Sequence, residues 1–139
     1  IWLRRHPVDS CFAMFRTLFG AAYPFSYDFD ELARYFAAYQ RLMDHWTAAF
    51  PGRITFVDYE ALVSDPAAAG VVLARRCGLD WSETALDLSR NRSASLTASA
   101  AQVRSGVYAS SAGLWKRYRA HLEPLAERLR AHGVAVDLS

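Results

Sequence analysis

The sequence predicts an α/β fold in which helices predominate around two strands of a mainly parallel sheet. Three stretches carry this reading: a strand–turn–helix unit over residues 1–19, a long apolar periodicity from Phe29 to Phe50, and an alternating segment from Arg53 to Tyr59. With 139 residues and a hydrophobic fraction of 53%, the chain has the length of one domain and enough apolar side chains for a core.

Ile1 to Leu3 reads as the end of a buried strand. After the Arg4-Arg5-His6 turn, Pro7 stands where a first helical turn accepts it, and Asp9 in that turn faces the positive end of the helix dipole. Val8, Cys11, Phe12, Phe15, Leu18 and Phe19 recur at helical spacing, so this helix is expected to run to Gly20. An aromatic connection then leads to Asp28–Glu31, acidic residues suited to starting a second helix. Phe29, Leu32, Phe36, Tyr39, Met43, Trp46 and Phe50 alternate in steps of three and four, which predicts one buried stripe ended by Pro51-Gly52.

The segment from Arg53 to Tyr59 reads as the second strand, and Glu60 to Val63 as a short turn of helix. Ser64-Asp65-Pro66 supplies a cap and a first-turn Pro for a helix over Ala67 to Arg76, stopped at Gly78. Ser82 caps another short helix reaching Leu88. Asn91 to Ser111 is rich in hydroxyls and lacks sustained periodicity; its Leu96, Val103, Val107 and Tyr108 predict an ordered, packed loop. Two closing helices, Leu114 to His121 and Leu122 to Ala131, are expected to separate near Pro124.

A net charge of +2 is too mild to indicate nucleic acid, and no apolar run approaches the length of a membrane helix. Cys11 and Cys77 form no CxxC, so neither a metal site nor a disulfide framework is indicated, and a reducing, cytoplasmic setting is expected. Of the 16 basic residues, 15 are Arg and only Lys116 is Lys. Arg offers a planar fork that matches phosphate or sulfate two bonds at a time, although 24 Ala beside 15 Arg is also the mark of a GC-rich coding sequence. The chain opens inside a strand, at Ile1, and reads as a piece of a longer protein.

A strand that delivers an Arg into a turn before a helix N-terminus builds an anion site, because the first backbone N–H groups point outward and the dipole favours negative charge. Arg5 would add a charged fork and Ser10 a hydroxyl one turn inside. A second segment rich in hydroxyls and Arg, Arg92 to Arg104, could close over the same anion.

Three motifs occur in order: Arg5-His6-Pro7-Val8-Asp9-Ser10-Cys11, then Tyr59-Glu60-Ala61-Leu62-Val63-Ser64-Asp65-Pro66, then Thr97 to Arg104 continuing to Gly113-Leu114-Trp115. Together they resemble the C-terminal part of a sulfotransferase, in the branch often attached to tetratricopeptide repeats and akin to tyrosylprotein sulfotransferases. The resemblance implies a P-loop-kinase-like three-layer domain of which residues 1–139 form the C-terminal part. It implies transfer of a sulfuryl group from 3′-phosphoadenosine 5′-phosphosulfate to an acceptor hydroxyl on a protein tyrosine, a carbohydrate or a small molecule. No nucleic-acid or membrane partner and no metal are implied.

Residue by residue, the resemblance makes Arg5 the ligand of the nucleotide 3′-phosphate and Tyr59 a neighbour of the adenine. Thr97 or Ser99 becomes the hydroxyl approaching the phosphosulfate, and Arg104 a second phosphate ligand. Trp115 with Lys116 resembles a Gly-x-Trp-Lys ending, with Trp115 itself expected to pack. The chain also departs from the family pattern. Ala13 stands where the family has a Ser, so Ser10, on the same helix face, is the expected substitute. Tyr108-Ala109-Ser110 replaces an Arg-Lys-Gly, and Gly106 replaces a Pro, which loosens that loop. The family's phosphosulfate loop and catalytic base lie upstream of these motifs, so no catalytic residue is assigned within the chain. Two other classes are compatible with the residues alone. One is a non-catalytic helical interaction module; the other, a nucleotide-phosphate kinase relative, lacks its Gly-x-x-x-x-Gly-Lys-Ser/Thr here.

Overall fold

A computed structural model of the chain describes residues 1–87 and 111–139. Two compact units divide it, one built from Ile1–Arg4 and Thr55–Ala112, the other from Arg5–Ile54 and Gly113–Ser139. The architecture is mostly helical with a two-stranded parallel sheet.

In the strand unit, β1 (Trp2–Arg4) pairs in parallel with β2 (Phe56–Asp58), with Trp2 opposite Phe56, Leu3 opposite Val57 and Arg4 opposite Asp58. Parallel strands need a long crossover, which the helical stretch between them in sequence supplies. The Trp2 N–H donates to the Thr55 carbonyl at 2.8 Å, and an Arg4–Asp58 ion pair of 3.0 Å closes the far end. Next come α3 (Tyr59–Ser64) and α4 (Pro66–Arg76). Asp65, the residue after α3, caps α4 by accepting from the Ala68 N–H at 3.0 Å, and Pro66 takes the first-turn position where a missing N–H costs nothing. The helix stops as the sequence suggests. Gly78, at φ +68°, donates to the Arg75 carbonyl while Leu79 donates to Ala74, the paired bonds of a left-handed helix end. Ser82 then accepts from Thr84 to start a 3-10 turn over Glu83–Leu86, tighter than the α-helix expected.

The helical unit holds α1 (Pro7–Phe15), a 3-10 turn at Pro24–Tyr27, α2 (Phe29–Ala49), a second 3-10 turn at Leu114–Tyr118, and α5 (Arg119–Ala131). Asp28 caps α2, its Oδ1 accepting from Asp30 at 2.8 Å and Glu31 at 2.9 Å. The Glu31 N–H is the main influence holding the Asp28 carboxyl below its ordinary pKa, because that bond favours the charged form. Val8, Cys11 and Phe12 of α1, Leu32, Ala33, Phe36 and Ala37 of α2, Trp115, and Leu122, Leu125, Ala126 and Leu129 of α5 form one core. A second left-handed helix end at Gly133 folds Val134 back onto it.

Four further expectations change. The opening strand, expected to be buried, is covered only at Trp2, with Ile1 and Leu3 exposed. The first helix ends at Phe15, not near Gly20, and Leu18 is 88% exposed. The Phe19 N–H donates to the Tyr27 hydroxyl at 2.8 Å rather than to a preceding turn, so an aromatic loop takes the place of a last helical turn. The stripe on α2 is buried only in its N-terminal half. Trp46 and Phe50 are 41% and 49% exposed and stack on each other, beyond Tyr39, the last residue of α2 packed against the core. Pro124 lies inside α5 and separates nothing; the boundary falls where the 3-10 turn passes into α5 at Arg119. Pro124 deletes one backbone donor, and the buried Leu122, Leu125 and Leu129 keep the helix seated around that gap. Of the loop read over Asn91 to Ser111, residues 91–110 lie outside the described residues. Among those described, no helix is long and apolar enough to cross a membrane.

Candidate functional site

The Arg4-Arg5-His6 turn leads from β1 into α1, and its chemistry is organised by Asp9. An Arg and an Asp four residues apart across a helix start fall on one face. Here the Asp9 carboxylate is only 1% exposed, while the Arg5 side chain is 21% exposed. Arg5 donates from Nε at 3.0 Å and from an Nη at 2.9 Å, both to Asp9 Oδ2. The same oxygen accepts the Gly113 backbone N–H at 3.0 Å, and Oδ1 accepts from the Trp115 N–H at 3.3 Å. A buried carboxylate must be matched by donors to be tolerated, and four donors meet this one.

His6 completes the seat. Its ring stacks on Trp115 with centroids 4.7 Å apart and planes 6° from parallel, and its Nε2 bonds the Asp137 carbonyl at 2.7 Å. Trp115 is 2% exposed, as its expected packing role requires. No side chain caps α1, whose first residue is Pro7. Ser10 is half-buried one turn into the helix, its N–H donating to the His6 carbonyl at 2.9 Å. Cys11 beside it is no nucleophile at neutral pH, because burial pushes its thiol up to about 12.

Arg5 and Ser10 thus share the start of α1. Tyr59 belongs to the strand unit, where it is the first residue of α3, half-buried, with its hydroxyl 2.8 Å from Ser111 Oγ. Thr97, Ser99 and Arg104 lie outside the described residues. The residue that sequence reading undervalued is Asp9, credited only with a favourable place in the helix dipole. Its spacing from Arg5 was the available signal; that it would also bind Gly113 and Trp115, over a hundred residues on, was not visible locally.

Around the start of α1 lie a guanidinium paired to Asp9, a helix start without a side-chain cap, and the half-buried Ser10 one turn in. The chain is 31% identical over 133 residues to an uncharacterized protein of Aquifex aeolicus (strain VF5), a match covering 94% of this chain and 18% of that protein. The chain therefore spans less than a fifth of the relative's length. No solved structure matches it significantly. The profile described as Sulfotransferase family matches residues 1–83, from β1 through the Arg5–Asp9 turn to the short helices after β2. On that match over more than half its length, the chain belongs to the sulfotransferase family.

Proposed function

We propose that the protein transfers a sulfuryl group from 3′-phosphoadenosine 5′-phosphosulfate to an acceptor hydroxyl, and that residues 1–139 are the C-terminal part of one P-loop-kinase-like sulfotransferase domain. The observation that carries this reading is the Arg5 fork fixed on buried Asp9 at the start of α1, in a chain of this family. Arg5 binds the 3′-phosphate through its guanidinium, with the α1 start and the Ser10 hydroxyl as further donors. Tyr59 serves the adenine, and Thr97, Ser99 and Arg104 serve the phosphosulfate end. When bound, the nucleotide supplies an activated sulfuryl group to the acceptor oxygen. The protein's contribution is to orient and to stabilise charge rather than to form covalent bonds.

The sheet supports the domain assignment. Parallel sheets are normally covered on both faces, yet Ile1 and Leu3 beside β2, and Phe56 within it, are exposed. Further strands and layers from elsewhere in the protein would cover these side chains.

In the full-length protein, adenosine 3′,5′-bisphosphate should bind at least about ten-fold tighter than adenosine 5′-monophosphate, the scale of one charged hydrogen bond, and Arg5→Ala should erase the difference. Calorimetry giving equal affinities for the two nucleotides in the unaltered protein overturns the reading. A second reading, a non-catalytic helical interaction module, draws on the exposed Leu42, Trp46 and Phe50 of α2 and expects neither nucleotide to bind.

A further inference from the structure

We infer that Asp9 is a positioning residue for anion recognition: it aims the Arg5 guanidinium and locks that aim to the Gly113–Trp115 segment. The inference rests on the proposed role of Arg5 and assigns the group through which that role is exercised.

A free Arg side chain samples many rotamers, and holding it in one is an entropic cost that a ligand must otherwise meet. Here Nε and one Nη are both engaged on Asp9 Oδ2, which fixes the plane of the guanidinium as well as its position. Asp9 in turn cannot swing. Its two oxygens are tied to two backbone N–H groups of a segment that is itself seated by the buried Trp115 ring and its stack on His6. The arrangement is a lever with both ends pinned: the start of α1 on one side and the entry to the 3-10 turn at Leu114 on the other.

The electrostatics make the inference testable by sign. A carboxylate near an anion site repels the anion. If Asp9 only balanced the charge of Arg5, Asp9→Asn, nearly identical in shape, would strengthen anion binding by removing that repulsion. If Asp9 positions Arg5, Asp9→Asn weakens binding, and does so only for ligands carrying the group that Arg5 grips.

The experiment measures the affinities of adenosine 3′,5′-bisphosphate and adenosine 5′-monophosphate for the full-length protein and for Asp9→Asn. The expected result is a preference for the bisphosphate that falls at least about five-fold in the variant, with monophosphate affinity within about two-fold of its starting value, the size expected when one charge-assisted bond is misdirected. A stronger preference in the variant, or an equal loss for both nucleotides, overturns the inference. An absence of preference in the unaltered protein overturns the functional reading itself, which separates the two failures. Should Asp9→Asn not fold, the unaltered protein decides by arginine-selective NMR. The Arg5 Nε–H should exchange slowly with solvent and shift on adding the bisphosphate but not the monophosphate. Fast exchange, or no response to the bisphosphate, overturns the inference.

Discussion

The helical unit and the strand unit distribute their apolar side chains in opposite ways. In the helical unit, residues brought from four separate stretches of sequence meet in one core, with Val8, Leu32, Leu125 and Leu129 fully covered. In the strand unit, the buried apolar side chains among the described residues are Trp2 and Ala74, while Leu3, Phe56, Val72 and Leu79 are exposed. An apolar cavity of about 430 Å³ runs along β2, α3 and α4, lined by Val57, Ala61, Leu62, Ala69, Val72 and Leu73. Both units have capped helices and a correct hydrophobic pattern. The difference teaches that local pattern suffices to form helices, whereas burial depends on whether a partner layer is available.

The strongest test of that contrast makes one substitution in each unit. Leu129→Ala should lower unfolding free energy by about 2–5 kcal/mol, while Leu79→Ala should change it by no more than about 0.5 kcal/mol, measured by denaturant titration. Equal effects would break the comparison. A smaller but cleaner signal comes from the two thiols. Cys77 is exposed and Cys11 buried, with its thiol pushed up to about 12, so iodoacetamide at neutral pH should label Cys77 and leave Cys11 untouched until the chain is unfolded. Simultaneous labelling in the native state would show that the helical core opens as readily as the strand unit.

The smallest expected effect concerns the start of α2. The Asp28 carboxyl is held below its ordinary value of 3.8, chiefly by the Glu31 N–H, so its folded form is the more acidic one. Its stabilising contribution is therefore complete above the ordinary value and is lost as pH falls through the lowered one. Thermal midpoints measured from about pH 5 to about pH 2 should fall less steeply for Asp28→Asn, which caps without titrating, than for the unaltered chain. Identical slopes would remove Asp28 from the acid response.

Much of the fold was legible because its signals are local. Asp28 and Pro66 announce helix starts, Gly78 a helix stop, and the steps from Phe29 to Phe36 a buried face. The errors arose where a distant partner decides. Trp46 and Phe50 continue the periodicity past the last α2 residues that meet the core, and no window on α2 reports where its packing partners stop. Pro124 looks like a boundary until the buried leucines around it are counted as one face. The candidate site divides in the same way. Arg5 and Ser10 were singled out from a strand–turn–helix pattern, but the carboxylate that holds Arg5 gains its meaning from backbone groups more than a hundred residues later.

The scarcity of lysine has a practical corollary. Lys116 sits in the 3-10 turn directly after Trp115, its amine 2.9 Å from the Ser139 carbonyl. An endoproteinase specific for lysine therefore meets a single scissile bond in this chain, Lys116–Arg117, just past the stretch that secures Asp9. Its cutting rate on the native protein measures how often that one turn unlatches, giving a clock for local opening that needs no label and no altered residue.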